Sequence, residues 1–154
     1  MRCNVGVNPR YLFDQHIISE YREAVLLIGS LEYHNWQIKS PIPKRFTLGT
    51  GHMNFLKVKL KYIQRRHIEV KKEMERRNIK HDFLSIDLTN IDPYFCNDWF
   101  PIMEDSQIIR KRIIEKILNF PDLLWWRYNH VKFDNKNDIL RFCDIIIKGD
   151  LFYV

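Results

Sequence analysis

The residue pattern predicts an all-α fold of three main helices, long irregular connections and a C-terminal extension. Apolar residues recur every three or four positions over 13–28, 53–63 and 109–120, the period of amphipathic helices. Between those stretches fall Pro41, Pro43, Gly49, Gly51, Pro93, Pro101 and Pro121, residues that punctuate helices. At 154 residues, 45% of them hydrophobic, the chain is long enough for a compact single domain with one core.

The first helix opens at Asn8-Pro9 or at Asp14 and runs to about 33–36, with proline tolerated in its first turn. Its apolar stripe is Phe13, Ile17, Tyr21, Ala24 and Ile28. At about 100° per residue, His16, Glu20 and Glu23 share one flank, and Gln15 and Arg22 line up on another strip. An imidazole, carboxylates, an amide and a guanidinium beside a core-facing stripe exceed what packing requires. The same window also fits a solvated flank with ordinary i,i+4 pairs.

Phe46-Thr47-Leu48-Gly49-Thr50-Gly51-His52 precedes the second stretch, where the glycines suit either tight turns and close packing or a phosphate cradle. Met53, Leu56, Leu60, Ile63, Ile68 and Val70 predict one long second helix that frays near Asn78. Residues 79–104 read as irregular, with Tyr94, Phe95, Trp99 and Phe100 among them. The third helix covers about 105–120, capped by Asp105 or Ser106, with Arg112 and Lys116 one turn apart on a face away from Ile109, Ile113 and Ile117. An aromatic cluster, Trp125-Trp126-Arg127-Tyr128, follows Pro121. A short helix over 138–146, then Gly149 and an apolar end, complete the chain.

Charge is unevenly placed. Lys57, Lys59, Lys61, Arg65, Arg66, Lys71, Lys72, Arg76 and Arg77 face three acids (Glu69, Glu73, Glu75) within 57–77, and the other 16 basic and 16 acidic residues cancel. The whole net charge of +6 therefore sits on one stretch, which favours a polyanionic partner, nucleic acid before membrane. No apolar run approaches the ~18 residues of a membrane span. No continuous apolar stretch follows Arg2, so no secretory signal is expected and the location is intracellular. Cys3, Cys96 and Cys143 are odd in number and lack CxxC spacing, as reduced thiols do, and no metal site is expected.

Several blocks, in order, resemble one family. Leu12-Phe13-Asp14-Gln15-His16 with Glu20-Tyr21-Arg22-Glu23 resembles the DQH…EYRE signature of the pyrimidine-dimer DNA glycosylases of bacteriophage endonuclease V type. Phe46 to His52 with Phe55, continued by Lys59-Leu60 and Arg66, is similar to the F-x-LG-x-GH-x-x-F run. Ile91-Asp92-Pro93…Phe95…Asp98 resembles the I-P…F…D segment, and Arg112…Glu115-Lys116-Ile117, Pro121 and Trp125/Trp126 resemble the ending. The resemblance covers about residues 1–130 and sets a glycosylase-like helical domain, 1–132, apart from an extension, 133–154.

The resemblance implies a compact all-helical monomer that binds damaged double-stranded DNA, without metal or cofactor. It implies N-glycosylase action on ultraviolet-induced pyrimidine dimers with abasic-site lyase action. The nucleophile implied is the chain's own α-amine, here on Met1, and the catalytic carboxylate is Glu23. Arg2, Gln15, His16, Arg22, His52, Arg66, Arg112 and Lys116 would contact DNA. An α-amine suits the task because it ordinarily titrates near about 7.7–8.0. Three departures from the family pattern stand out. Met1 occupies the place usually held by threonine, Leu26 stands where an arginine is usual, and the tail after about Lys132 is extra. They leave open a related enzyme for oxidised or ring-opened purines, or an inactive DNA-binding relative.

Overall fold

The computed structural model describes residues 3–82 and 84–148, with Thr50 and residues 146–148 described by backbone only. The fold is all-α. Among the described residues, five α-helices and two 3-10 turns account for the regular structure, with one two-stranded hairpin. Contacts group the described chain into two compact units, one of Cys3 with Ser19–Phe100 and the other of Asn4–Ile18 with 101–148.

Helix α1, Asp14–Tyr33, carries residues of both units. Asn8 caps a separate 3-10 turn, Pro9–Tyr11, by accepting from the Arg10 amide, so the α-helix begins at Asp14. The buried stripe is Ile17, Tyr21, Ala24, Leu27 and Leu31; Ile28 is only half covered. The helix ends where Asn35 and Trp36 turn left-handed (φ 50 and 59) and the Trp36 amide donates to Leu31 O at 2.7 Å, a C-terminal closure that satisfies otherwise orphaned carbonyls.

The expected long second helix is two helices, α2 (Thr50–Lys57) and α3 (Leu60–Arg76). Tertiary hydrogen bonds make the break. Val58 O accepts from Asn97 Nδ2 at 3.0 Å, the Leu60 amide donates to Phe95 O at 2.9 Å, and Lys59 bridges Cys96. Those partners come from the irregular segment, so no local pattern announces the break. Ile68, expected on the buried stripe, is exposed, and Tyr62, Arg66 and His67 are buried instead.

Between Arg76 and Met103 the described residues contain no helix, yet the segment is anchored by aromatic rings. Trp99 stacks on Phe46 at 5.7 Å and meets Phe55 and Tyr62 edge-on at 4.9 Å each. Arg65 donates to Trp99 O and Asp98 Oδ1, both at 2.9 Å.

In the second unit α4, Met103–Asn119, packs against α5, Lys136–Lys148. Helix α4 begins two residues earlier than expected, with Asp105 Oδ2 accepting from the Ile102 amide, half of a capping box. The α2/α3 break divides one of the three expected main helices, and the short helix expected over 138–146 is α5, Lys136–Lys148. The aromatic cluster forms the hairpin, β1 (Trp125–Trp126) with β2 (Asn129–His130). Its turn residues Arg127 and Tyr128 are left-handed, and Asp14 accepts from both amides at 3.0 and 2.7 Å. Gly149 and the apolar end expected there lie outside the described residues.

Candidate functional site

Helix α1 is continuous over Asp14–Tyr33, so Glu20 and Glu23 do lie one turn apart on one flank. Glu20 is buried, Glu23 half-buried and Arg22 exposed. A half-covered carboxylate beside an exposed guanidinium can steady a developing positive charge and bind a phosphate.

Glu20 is the hub of this flank. Arg66 of α3 grips it through two hydrogen bonds, Nε to Oε1 at 2.8 Å and Nη2 to Oε2 at 3.2 Å. The Cys3 thiol donates to the same Oε1 at 3.4 Å. Burial, then the charge of Glu20, pushes the Cys3 thiol well above its ordinary range, so Cys3 is a packing and hydrogen-bonding residue, not a nucleophile. For Arg66, burial would disfavour the charge, but Glu20 outweighs it and the guanidinium is held charged. Met1 and Arg2 lie outside the described residues.

Two expected DNA contacts of the first unit are enclosed, as His16 is in the second. Arg66 is 5% and His52 3% exposed, and the His52 ring meets Phe46 edge-on at 5.2 Å. Gly49 caps α2 with φ 77 and its carbonyl accepts from the His52 amide at 3.1 Å. A Cβ on Gly51 would sit 2.7 Å from Thr47 Cγ2. Both glycines therefore act as turn and close-packing devices here.

In the second unit, His16 is buried edge-on to Phe13 at 5.8 Å. Gln15 donates to Leu123 O at 2.8 Å and accepts from the Trp125 amide at 3.2 Å. Arg112 donates to Asn4 Oδ1 at 2.6 Å, and both Arg112 and Lys116 are half-buried. The Asn4 and Cys3 contacts were not legible in sequence; only the early position of these residues could have marked them.

The basic stretch divides by exposure. Lys57, Arg66 and Arg77 are buried, whereas Lys61, Lys72 and Arg76 are exposed and Lys59, Arg65 and Lys71 half-exposed. Arg76 and Arg77 both bind Glu73. The positive surface is thus narrower than the composition suggests. Among the described residues no group of His, Cys, Asp and Glu is placed to hold a metal ion, and no helix is long and apolar enough to cross a membrane.

Comparison with known families adds one finding. The family model described as pyrimidine dimer DNA glycosylase matches residues 2–87, more than half of the chain. That span contains Cys3, helix α1 with Glu20, Arg22 and Glu23, and Arg66.

Proposed function

The chain belongs to the pyrimidine dimer DNA glycosylase family, and from that premise we propose how it performs the repair of dimer-containing DNA. The α-amine of Met1, in its neutral form, attacks C1′ of a nucleotide in the dimer. The C1′–N bond breaks and its electron pair leaves with the base. The amine gives up two protons, one going to the departing base and one to O4′, and the C1′–O4′ bond breaks as the C1′=N imine forms. Removal of a C2′ proton then expels the 3′ phosphate by β-elimination, which is the lyase step.

Glu23 is the carboxylate assigned to this sequence. Ionised, it steadies the cationic sugar as the base departs, and it then relays the proton that elimination moves. Arg2, Arg22, Gln15 and His16 are read as contacts to the phosphates and deoxyribose, and Arg112 and Lys116 as contacts to the flanking backbone. Arg66 and His52, both enclosed, are read as supports rather than contacts. Chemistry on a stacked base also requires an extruded nucleotide. Residues 133–154 stand as an extension of the glycosylase-like part, 1–132.

One observation carries the assignment. Cys3 is fixed at Glu20 by the 3.4 Å thiol contact, one helical turn from Glu23. The two residues before Cys3 span at most about 7 Å, which ties the amine to the neighbourhood of the Cys3–Glu20 contact and is what supports pairing it with Glu23.

Borohydride trapping tests it. Wild-type protein should become covalently fixed to dimer-containing or abasic duplex, Glu23→Gln should lose about 10²–10⁴-fold in rate, and N-terminal acetylation should abolish the adduct. No adduct with wild type, or an undiminished one with Glu23→Gln, overturns the mechanism. Leu26, 66% exposed on α1 where the family usually has arginine, favours one second reading, a shifted lesion preference towards oxidised or ring-opened purines. Trapping across a panel of lesion duplexes separates the two, and a protein that binds every duplex without trapping is the inactive relative.

A further inference from the structure

Apart from the residues given roles above, the first unit holds a cavity of about 590 Å³ lined by Trp36, Asn90, Asp92, Tyr94 and Phe95. That lies within the ordinary size range of small-ligand sites. We infer that this cavity is a binding site for an organic cation, a guanidinium or alkylammonium group, caged by Trp36, Tyr94 and Phe95 and neutralised by Asp92.

Ring geometry is the first support. Phe95 stands at 60° to Trp36 with centroids 5.2 Å apart, and at 88° to Tyr94 with centroids 5.0 Å apart. Rings set steeply to one another enclose a space with π faces, where a flat stack would fill it, and π faces attract cations. Phe95 is buried and doubly tied, its amide donating to Asp92 O at 3.0 Å and its carbonyl accepting from the Leu60 amide at 2.9 Å. Tyr94 is 57% exposed, so the cavity is open to an arriving ligand.

Backbone conformation is the second. Trp36 sits at φ 59 directly after Asn35 at φ 50, a left-handed region that bulky side chains rarely adopt. Strain of this kind persists where the surroundings hold it and concentrates at ligand clamps. The conformation turns the indole from the end of α1 to the ring of Phe95.

Charge decides the ligand class. Residues 82–98 contain Asp82, Asp87, Asp92 and Asp98 and no lysine or arginine, in a chain of net charge +6. Arg65 pairs with Asp98 and Lys61 lies near Cys96, but among the lining residues Asp92 alone carries a charge, so its carboxylate favours a cation there over a phosphate-bearing ligand. Asp92 Oδ1 accepts from the Tyr94 amide at 2.8 Å, so the same carboxylate shapes the turn and points the charge.

This site is independent of the repair chemistry, and its test reads binding alone. The probes are choline, capped arginine amide, the neutral isostere 3,3-dimethylbutanol and thymidine monophosphate, followed by NMR at the Trp36 indole, assigned with Trp36→Phe. Choline or the capped arginine should shift that signal saturably, while the alcohol and the nucleotide leave it in place. Tighter binding of the capped arginine identifies a polypeptide side chain as the source, and tighter binding of choline a free alkylammonium compound. Asp92→Asn keeps the turn acceptor and removes the charge, so it should weaken the cation about fivefold or more, and Tyr94→Leu should do the same by removing one wall. Equal binding of the alcohol, preference for the nucleotide, no shift with either cation, or undiminished binding by a folded Asp92→Asn protein overturns the proposal.

Discussion

Arg66 donates to both carboxylate oxygens of Glu20, at 2.8 and 3.2 Å, and the two side chains are only 5% and 2% exposed. Desolvating such a pair offsets much of its attraction, but stranding one partner is strongly unfavourable. Arg66→Met alone should therefore destabilise the protein by about 3–5 kcal/mol, whereas Arg66→Met with Glu20→Leu should recover most of the loss. Urea denaturation of the two single variants and the double closes the cycle. If Arg66 instead reaches DNA, its effect will appear in the salt slope of binding rather than in the denaturation midpoint.

His67 supplies a pH dependence. Its ring stacks on Tyr21 at 4.5 Å, and burial, helped by the charge of Lys71, holds its pKa below the ordinary 6.5. On acidification the unfolded chain takes up the proton first. The stabilisation is complete above pH 6.5 and drains away as pH falls from there towards the depressed folded value. His67→Gln should flatten the loss of stability between about pH 7 and pH 5. Glu73 acts in a separate window: its burial is outweighed by hydrogen bonds from Arg76 and Arg77, and its contribution is lost only as pH falls below the ordinary glutamate value of 4.5. Denaturation midpoints across the range distinguish the two.

Gly6 and Gly29 should respond oppositely to alanine. Gly6 has φ +66 and an added Cβ would lie 2.6 Å from Ser106 Cβ, so Gly6→Ala combines left-handed strain with overpacking and should lower stability by about 2–4 kcal/mol. Gly29 lies within α1 and its Cβ would meet nothing within 4 Å. Gly29→Ala should raise stability by about 0.5–1 kcal/mol. Thermal unfolding of both variants measures the contrast.

Exposed cations of α3 should set the salt dependence of DNA binding. Lys61→Ala and Lys72→Ala each remove an exposed charge and should each reduce the slope of log K against log salt by about 1. Arg77→Ala removes a buried charge that Glu73 binds at 2.6 Å and should leave the slope unchanged while lowering stability. Duplex binding titrated over a salt series reads the slopes directly.

Periodicity alone determined the helical class, the course of α1, the C-terminal end of α3, and the positions of α4 and α5 to within a few residues, because a helix's burial stripe is written every three or four positions. The blocks around Glu23 and His52 likewise carried the family on the strength of local residue order. Only the tertiary structure decided that α2 and α3 separate at Val58 and Lys59, that Glu20 belongs to Arg66 and Cys3, and that Trp36 meets Phe95. Each of those depends on partners between 17 and 59 positions away, on another helix or on a segment with no period of its own. Hydrogen bonds and buried charges are settled by which groups meet in space, and spacing along the chain does not encode that meeting.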